Sequence, residues 1–264
     1  MNFIRIIRFD TMFAECFFKV VFMSGHSKWA NIKHQKAAAD AKKGSIFTKI
    51  IREITVSTKK GGADPSSNPA LRLAMEKASA SNMPKDTVNR AIQRGSGALF
   101  GAEYIEVRYE GYAPDSAAII VDCLTDNKVR TVAAVRHEFS KYGGNLGTEG
   151  CVSYMFKHCG LLVFSPYVSE EQIMGVALSH EVEDVVKQDD GSIEVTTLPS
   201  SFFDIKNAFE EASLVPELSR IVMQPEAEIT LSPDSEKKVR KLVSSLEDID
   251  DVREVFTNVN FLQY

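Results

Sequence analysis

Asp184-Val185-Val186-Lys187-Gln188-Asp189-Asp190-Gly191-Ser192-Ile193-Glu194-Val195-Thr196-Thr197 sets two β-branched runs on either side of an Asp-Asp-Gly turn. Aspartate favours turn initiation and glycine tolerates the backbone that a tight turn requires, so 184–187 and 192–197 are expected as strands joined directly. Outward from this pair, 170–178 and 201–212 carry helical spacing, and 161–164 and 220–223 are short apolar runs of strand length. The resulting order, βαββαβ, is that of the ferredoxin-like unit. Further out, strands at 104–109 and 117–124 flank the turn Gly111-Tyr112-Ala113-Pro114-Asp115, Val132, Val135 and Phe139 mark a helix over 129–142, and 151–156 reads as a third strand. The tail repeats strand 228–231, helix 234–246 and strand 252–258. Residues 98–158 lack a closing helix and strand, which this tail supplies. The predicted fold is α+β: an N-terminal all-helical bundle (23–97), a discontinuous α/β domain (98–158 and 225–264), and a ferredoxin-like βαββαβ domain inserted at 159–224.

Charge divides the chain along the same line. Residues 23–97 hold 14 Lys+Arg against 5 Asp+Glu, residues 98–264 hold 14 against 29, and the whole chain nets only −5. Local rather than total charge sets the attraction for phosphate, so the basic part is expected to bind nucleic acid. Apolar residues at 44% and charged residues at 25% exclude wholesale disorder. Cys16, Cys123, Cys151 and Cys159 form no CxxC pair, which predicts reduced thiols and no zinc site; His158 beside Cys159 has no matching second pair. Residues 1–22 are rich in Phe and Ile, but Asp10, Glu15 and Lys19 break every apolar run before it reaches the ~18 residues of a membrane span. They also lack a secretory signal core, and their acids argue against a mitochondrial presequence. The extension is expected to be loosely packed or absent from the natural product, with Met23 as the natural start.

The basic module reads as helices. Ala37, Ala38, Ala39 and Ala41 favour helix over 29–43 until Gly44, and Lys33, Lys36 and Lys43 fall on one face. Over 45–60, Phe47, Ile50, Ile51 and Ile54 share one side while Lys49, Arg52, Lys59 and Lys60 share the opposite one, which is expected to face out. After a Gly-Gly-rich loop, Asn68-Pro69 reads as a cap followed by a proline at the first helical position, with Leu71, Met75 and Ala78 inward. Pro84 opens a short helix that turns Val88 and Ile92 inward and leaves Lys85, Arg90 and Arg94 outward, ending at a Gly95-Ser96-Gly97 hinge.

Several blocks resemble one family. Met23-Ser24-Gly25-His26-Ser27-Lys28-Trp29-Ala30-Asn31-Ile32-Lys33-His34-Gln35-Lys36-Ala37-Ala38 and Ile46-Phe47-Thr48-Lys49-Ile50-Ile51-Arg52-Glu53 are similar to the start of the YebC/PmpR family. Asn89-Arg90-Ala91-Ile92, Tyr109-Glu110-Gly111-Tyr112, Thr125-Asp126-Asn127, Arg130-Thr131 and Gly143-Gly144-Asn145-Leu146-Gly147 follow in the same order. The resemblance covers the chain from Met23 almost to its C-terminus, is looser across 160–224, and departs before Met23. It implies three domains, a helical bundle and two α/β domains. Bacterial members are described as transcriptional regulators that bind promoter DNA. Mitochondrial and some bacterial relatives look like translation factors acting at the ribosome on proline-rich stretches.

The expected nucleic-acid-binding set is Lys28, Lys33, Lys36, Lys42 and Lys43, then Lys49, Arg52, Lys59 and Lys60, with Arg90 and Arg94. Arg130 and Arg136 extend it into the second domain. Such residues contact phosphates without reading bases, and about six contacts give a log-log salt slope near −5. No helix presents Arg, Asn and Gln as a helix-turn-helix does, which tilts the reading toward structured RNA. Trp29 is read as a bundle anchor ahead of a base-stacking platform, and His26 and His34 suit capping or surface roles as well as phosphate. The glycine-rich loop 143–150 lacks the Lys-Ser/Thr ending of a P-loop and reads as a connection or partner contact. His137 and Glu138 are adjacent on a helix and point about 100° apart, so no acid–base pair forms. The chain is thus expected to be no enzyme, with no cofactor, metal or small-molecule substrate. DNA or ribosomal RNA is the partner expected for the bundle, and polymerase or ribosomal proteins for the acidic domains. It is placed in the bacterial cytoplasm or, alternatively, the mitochondrial matrix, away from membranes.

Overall fold

The computed structural model describes residues 43–99 and 103–261, and the side chain of Lys43 lies outside that description. The helix expected over 29–43 lies almost wholly outside the described residues, and helix α1 spans Lys43–Gly61. Its four-residue spacing buries Ile50 and Ile54 against Leu71, Ala74 and Ala78 of α2 (Pro69–Ala80) and Val88 and Ala91 of α3 (Lys85–Gly95). Asn68 caps α2 by accepting the Leu71 N–H at 3.1 Å, and its amide donates to the carbonyls of Ser57 and Gly62 at 2.8 Å each. One side chain thereby starts α2 and holds the end of α1. Gly95 marks the closest approach of α3 to α1: a Cβ there would sit 2.5 Å from the Thr55 carbonyl oxygen.

Beyond the bundle, β1 (Ile105–Tyr112) and β2 (Ala118–Thr125) form an antiparallel pair, followed by α4 (Lys128–Lys141) and a two-residue β3 (Asn145–Leu146). The chain then enters a second sheet through β4 (Phe156–Phe164), α5 (Glu170–Ala177), β5 (Val182–Lys187), β6 (Ile193–Thr197), α6 (Phe202–Glu211) and β7 (Leu218–Pro225). It returns to the first with α7 (Pro233–Glu247) and β8 (Val252–Thr257), which pairs with β2. The strand orders are β3-β1-β2-β8 and β5-β6-β4-β7, all antiparallel. The second is the ferredoxin-like arrangement read from the sequence. Its core holds Leu162, Phe164, Ile173, Phe202 and Phe209, whereas that of the first holds Ile119, Val121, Phe139, Val239 and Leu242. The two sheets meet where Cys159, Leu161, Val163 and Val222 pack on Phe256.

Two expected strands differ. The strand predicted at 151–156 is instead a turn and one turn of 3-10 helix (Ser153–Met155), and the ladder starts at Phe156. The carboxylate of Glu110, buried on β1, accepts the backbone N–H groups of Gly150, Val152 and Ser153 at 3.0, 2.8 and 2.8 Å, so these donors are not free to join a strand. The strand expected at 228–231 is reduced to a single parallel bridge between Ile229 and Val259.

Candidate nucleic-acid interface

Of the polar side of α1, Lys59 and Lys60 face out as the periodicity suggested, whereas Lys49 and Arg52 do not. Lys49 donates to the Glu247 carbonyl at the end of α7, Arg52 donates to the Asp250 carbonyl and pairs with the Asp251 carboxylate at 2.9 Å, and the Ser45 hydroxyl reaches Asp250 at 3.4 Å. Arg52 also lies over the Tyr104 ring, 5.4 Å from its centroid. With 13% of its side chain exposed, Arg52 belongs to the joint between bundle and first sheet. Burial lowers the affinity of Lys49 for its proton, although Glu247, Asp250 and Asp248 oppose that shift. Lys59 and Lys60 pair with Glu103 and Glu106 yet keep 55% and 61% of their side chains exposed. These four cations therefore answer the acidic domain of their own chain, and Lys49 and Arg52 leave the accessible set.

Asp251 is the hub of this joint. Besides Arg52, it takes Arg130 Nη2 at 2.9 Å and the Thr131 hydroxyl at 2.8 Å. Burial raises its pKa, but bonds from Arg130 and Thr131 and the charge of Arg52 outweigh that and hold the carboxyl below the usual range. Arg130, also paired with Asp126 at 2.8 Å, is thus engaged, whereas Arg136 is exposed and meets no carboxylate among the described residues. Behind the joint, Lys77 bridges Glu53 at 2.8 Å and Glu254 at 3.5 Å, and Lys206 of the second sheet domain reaches Glu76 of the bundle at 2.7 Å. Ion pairs flank the bundle on both sides, which opposes the free swing expected at 95–97.

Helix α3 keeps its outward face. Lys85, Asn89, Arg90, Gln93 and Arg94 are all exposed, and no carboxylate pairs with these cations among the described residues. At 100° per residue the five fall within a half-circle opposite buried Val88 and Ala91. α3 follows α2 after the four residues 81–84, where Asn82 adopts φ 55° and Met83 is buried. α2 and α3 each pack on α1; the sequence reading named Lys85, Arg90 and Arg94 as outward on α3 but did not include Asn89 and Gln93, which share that exposed face. The signal was present in Asn89-Arg90 and Gln93-Arg94, but only burial shows that one face carries both pairs.

A second cationic surface went unread because it lies in the acidic portion. Lys237, Lys238, Arg240 and Lys241 crowd the exposed side of α7, while Val239, Leu242 and Leu246 hold its other side in the core. Arg240 pairs with Glu236 at 2.6 Å, and the three lysines meet no carboxylate among the described residues. Lys28, Lys33, Lys36 and Lys42, together with Trp29, His26 and His34, lie outside the described residues, as does the side chain of Lys43. Among the described residues, no group of three His, Cys, Asp or Glu is placed to hold a metal, and no helix is long and apolar enough to cross a membrane.

Two family models match consecutive parts of the chain: the TACO1/YebC protein N-terminal domain over residues 27–98, and the TACO1/YebC second and third domain over 104–259. The chain belongs to the TACO1/YebC family. Family relatives in Cupriavidus taiwanensis and Nitrosomonas europaea, each named "Probable transcriptional regulatory protein", are 58% and 57% identical over 236 residues, 89% of this chain and 98% of theirs. The crystal structure of a conserved hypothetical protein from Aquifex aeolicus superposes with a TM-score of 0.79 at 40% identity, covering 90% of this chain and 98% of that one. The TACO1/YebC boundary between 98 and 104 falls where α3 ends and the first sheet begins.

Proposed function

We propose that the chain is a non-enzymatic, nucleic-acid-binding regulator of gene expression that docks on DNA through α3. The exposed face formed by Lys85, Asn89, Arg90, Gln93 and Arg94 carries this reading. Its cations supply phosphate attraction, and Asn89, Gln93 and the two arginines are the side-chain types that hydrogen-bond base edges in the major groove. The names of the bacterial relatives support a role in transcription. Lys59 and Lys60 remain accessible enough to add phosphate contacts, as does Arg136 from the first sheet domain. The acidic surface of the second sheet domain, including exposed Glu170, Glu171, Asp184 and Glu211, suits a protein partner such as polymerase and repels nucleic acid.

Fluorescence anisotropy with duplex DNA tests the proposal. Replacing Arg90 and Arg94 together by Ala should weaken binding to every sequence and reduce the log-log salt slope by about 2, since each phosphate contact contributes roughly 0.9. Replacing Asn89 and Gln93 by Ala should flatten preferences among sequences. Unchanged affinity in the first variant removes α3 from the interface.

The lysines of α7 favour a second reading, a ribosome-associated factor binding ribosomal RNA and assisting synthesis of proline-rich stretches. Cationic helices on two domains fit a folded RNA that spans both. Loss of rRNA binding on Lys237, Lys238 and Lys241→Ala, with duplex DNA binding intact, selects it.

A further inference from the structure

A cavity of about 580 Å³ opens where the bundle and both sheet domains meet. Each contributes cations: Lys60 and Lys77 from the bundle, Arg108 and Arg253 from the first sheet, Arg220 from the second. Four of the five are matched. Lys60 pairs with Glu106, Lys77 with Glu53 at 2.8 Å, Arg108 with Asp122 through two bonds of 2.7 and 2.9 Å, and Arg253 with Asp122 at 3.3 Å. Arg220, on β7, forms no ion pair among the described residues, and its Nε is buried without a hydrogen-bond partner. The buried Nε is not peculiar to Arg220, since Arg52 and Arg72 have one too, but Arg220 is half-buried and lines the cavity with no carboxylate partner among the described residues, so its charge suits an anion.

The rest of the lining narrows the chemistry. Val56, Leu73, Val222, Phe203 and Phe256 give the cavity an apolar wall able to cover a flat ring, and the carboxylates of Glu106 and Glu254 are acceptors for hydroxyl groups. The geometry points to a binding site for a phosphomonoester of nucleotide size, with Arg220 on the phosphate, the carboxylates on sugar hydroxyls and the apolar wall on the base. The volume falls in the range of roughly 300–1,000 Å³ typical of small-ligand sites. Such a ligand comes either as a free nucleotide or as the phosphorylated end of a strand. Because the walls belong to three domains, its binding also braces their arrangement.

Calorimetric titration of the full chain with adenosine 5′-monophosphate, inorganic phosphate and a 5′-phosphorylated decanucleotide tests this, beside the same oligonucleotide with a 5′-hydroxyl. The expected result is saturable binding of adenosine 5′-monophosphate, tighter than inorganic phosphate, with a rise in melting temperature. Arg220→Met should weaken it at least 10-fold without lowering the melting temperature of the free protein, because the arginine is unpaired there. Ala70→Phe, at an exposed α2 position lining the cavity, should block the site while leaving the core untouched, and carries the test if Arg220→Met folds poorly. Oligonucleotide binding that needs the 5′-phosphate and competes with the nucleotide assigns the site to strand ends; tenfold preference for the nucleotide assigns it to the free compound. Absence of binding by all phosphate probes, or wild-type affinity in both variants, overturns the proposal. Duplex binding through α3, measured on the same variants, should be unchanged, so either reading can fail without the other.

Discussion

At the residue scale, two buried carboxylates organise the first sheet domain. Asp251 gathers Arg52, Arg130 and Thr131, and Glu110 gathers three backbone N–H groups. Asp251→Asn should cost roughly 3 kcal/mol, since removing one partner leaves the Arg52 cation uncompensated in a poorly hydrated place. Glu110→Gln should cost about 1–3 kcal/mol through unsatisfied amides in the 150–153 turn. Urea unfolding followed by circular dichroism measures both. Burial raises the pKa of each carboxyl, but hydrogen bonds, joined at Asp251 by neighbouring cations, more than reverse it, so Asp251 and Glu110 titrate below their ordinary values of 3.8 and 4.5. The folded state binds protons more weakly than the unfolded state there. Their stabilisation is complete above about pH 5 and fades as pH falls through the lowered values, and acid melting curves of the two variants should be flatter than that of the wild type.

At the element scale, Gly95 decides how closely α3 approaches α1. A methyl group would meet the Thr55 carbonyl at 2.5 Å and Thr58 Cβ at 2.6 Å, so Gly95→Ala should destabilise the bundle by roughly 1–3 kcal/mol. Loss of hydrogen-exchange protection confined to α1 and α3 is the expected signature. Legibility also divides at this scale. The ferredoxin-like unit was readable because its signals are local: the Asp189-Asp190-Gly191 turn, β-branched strands, and helices with one apolar side. The outward face of α1 was misjudged at Lys49 and Arg52 because periodicity separates apolar from polar sides without revealing what the polar side meets. These two find their acceptors 198 and 199 residues away. The strand expected at 151–156 failed for a similar reason, its amides being claimed by Glu110 from about 40 residues upstream. The lysines of α7 were hidden by averaging over a segment that is strongly acidic as a whole.

At the scale of the whole molecule, the opposite charges of bundle and acidic domains are partly used inside the chain. Pairs such as Lys59 with Glu103 and Lys60 with Glu106 are exposed and should weaken as salt rises, whereas Arg52 with Asp251 is shielded and should persist. Hydrogen exchange between 0.05 and 0.5 M salt should show faster exchange at the C-terminal end of α1 with its centre unchanged. Simultaneous loosening of both regions would mean that the joint is held by long-range attraction alone.

The anchor of Arg52 lies 199 residues further along the polypeptide, and that distance has a consequence in time. At roughly 5–20 residues per second of synthesis, the N-terminal helices emerge about 10–40 s before Asp251 exists to receive them. During that interval the nascent helices carry uncovered cations in the vicinity of the translating machinery, a polyanion. A nascent chain arrested before codon 251 should therefore be held by its ribosome more firmly than one extended by a C-terminal linker that carries Asp251 clear of the exit tunnel, a difference that salt-washing of arrested nascent chains would reveal.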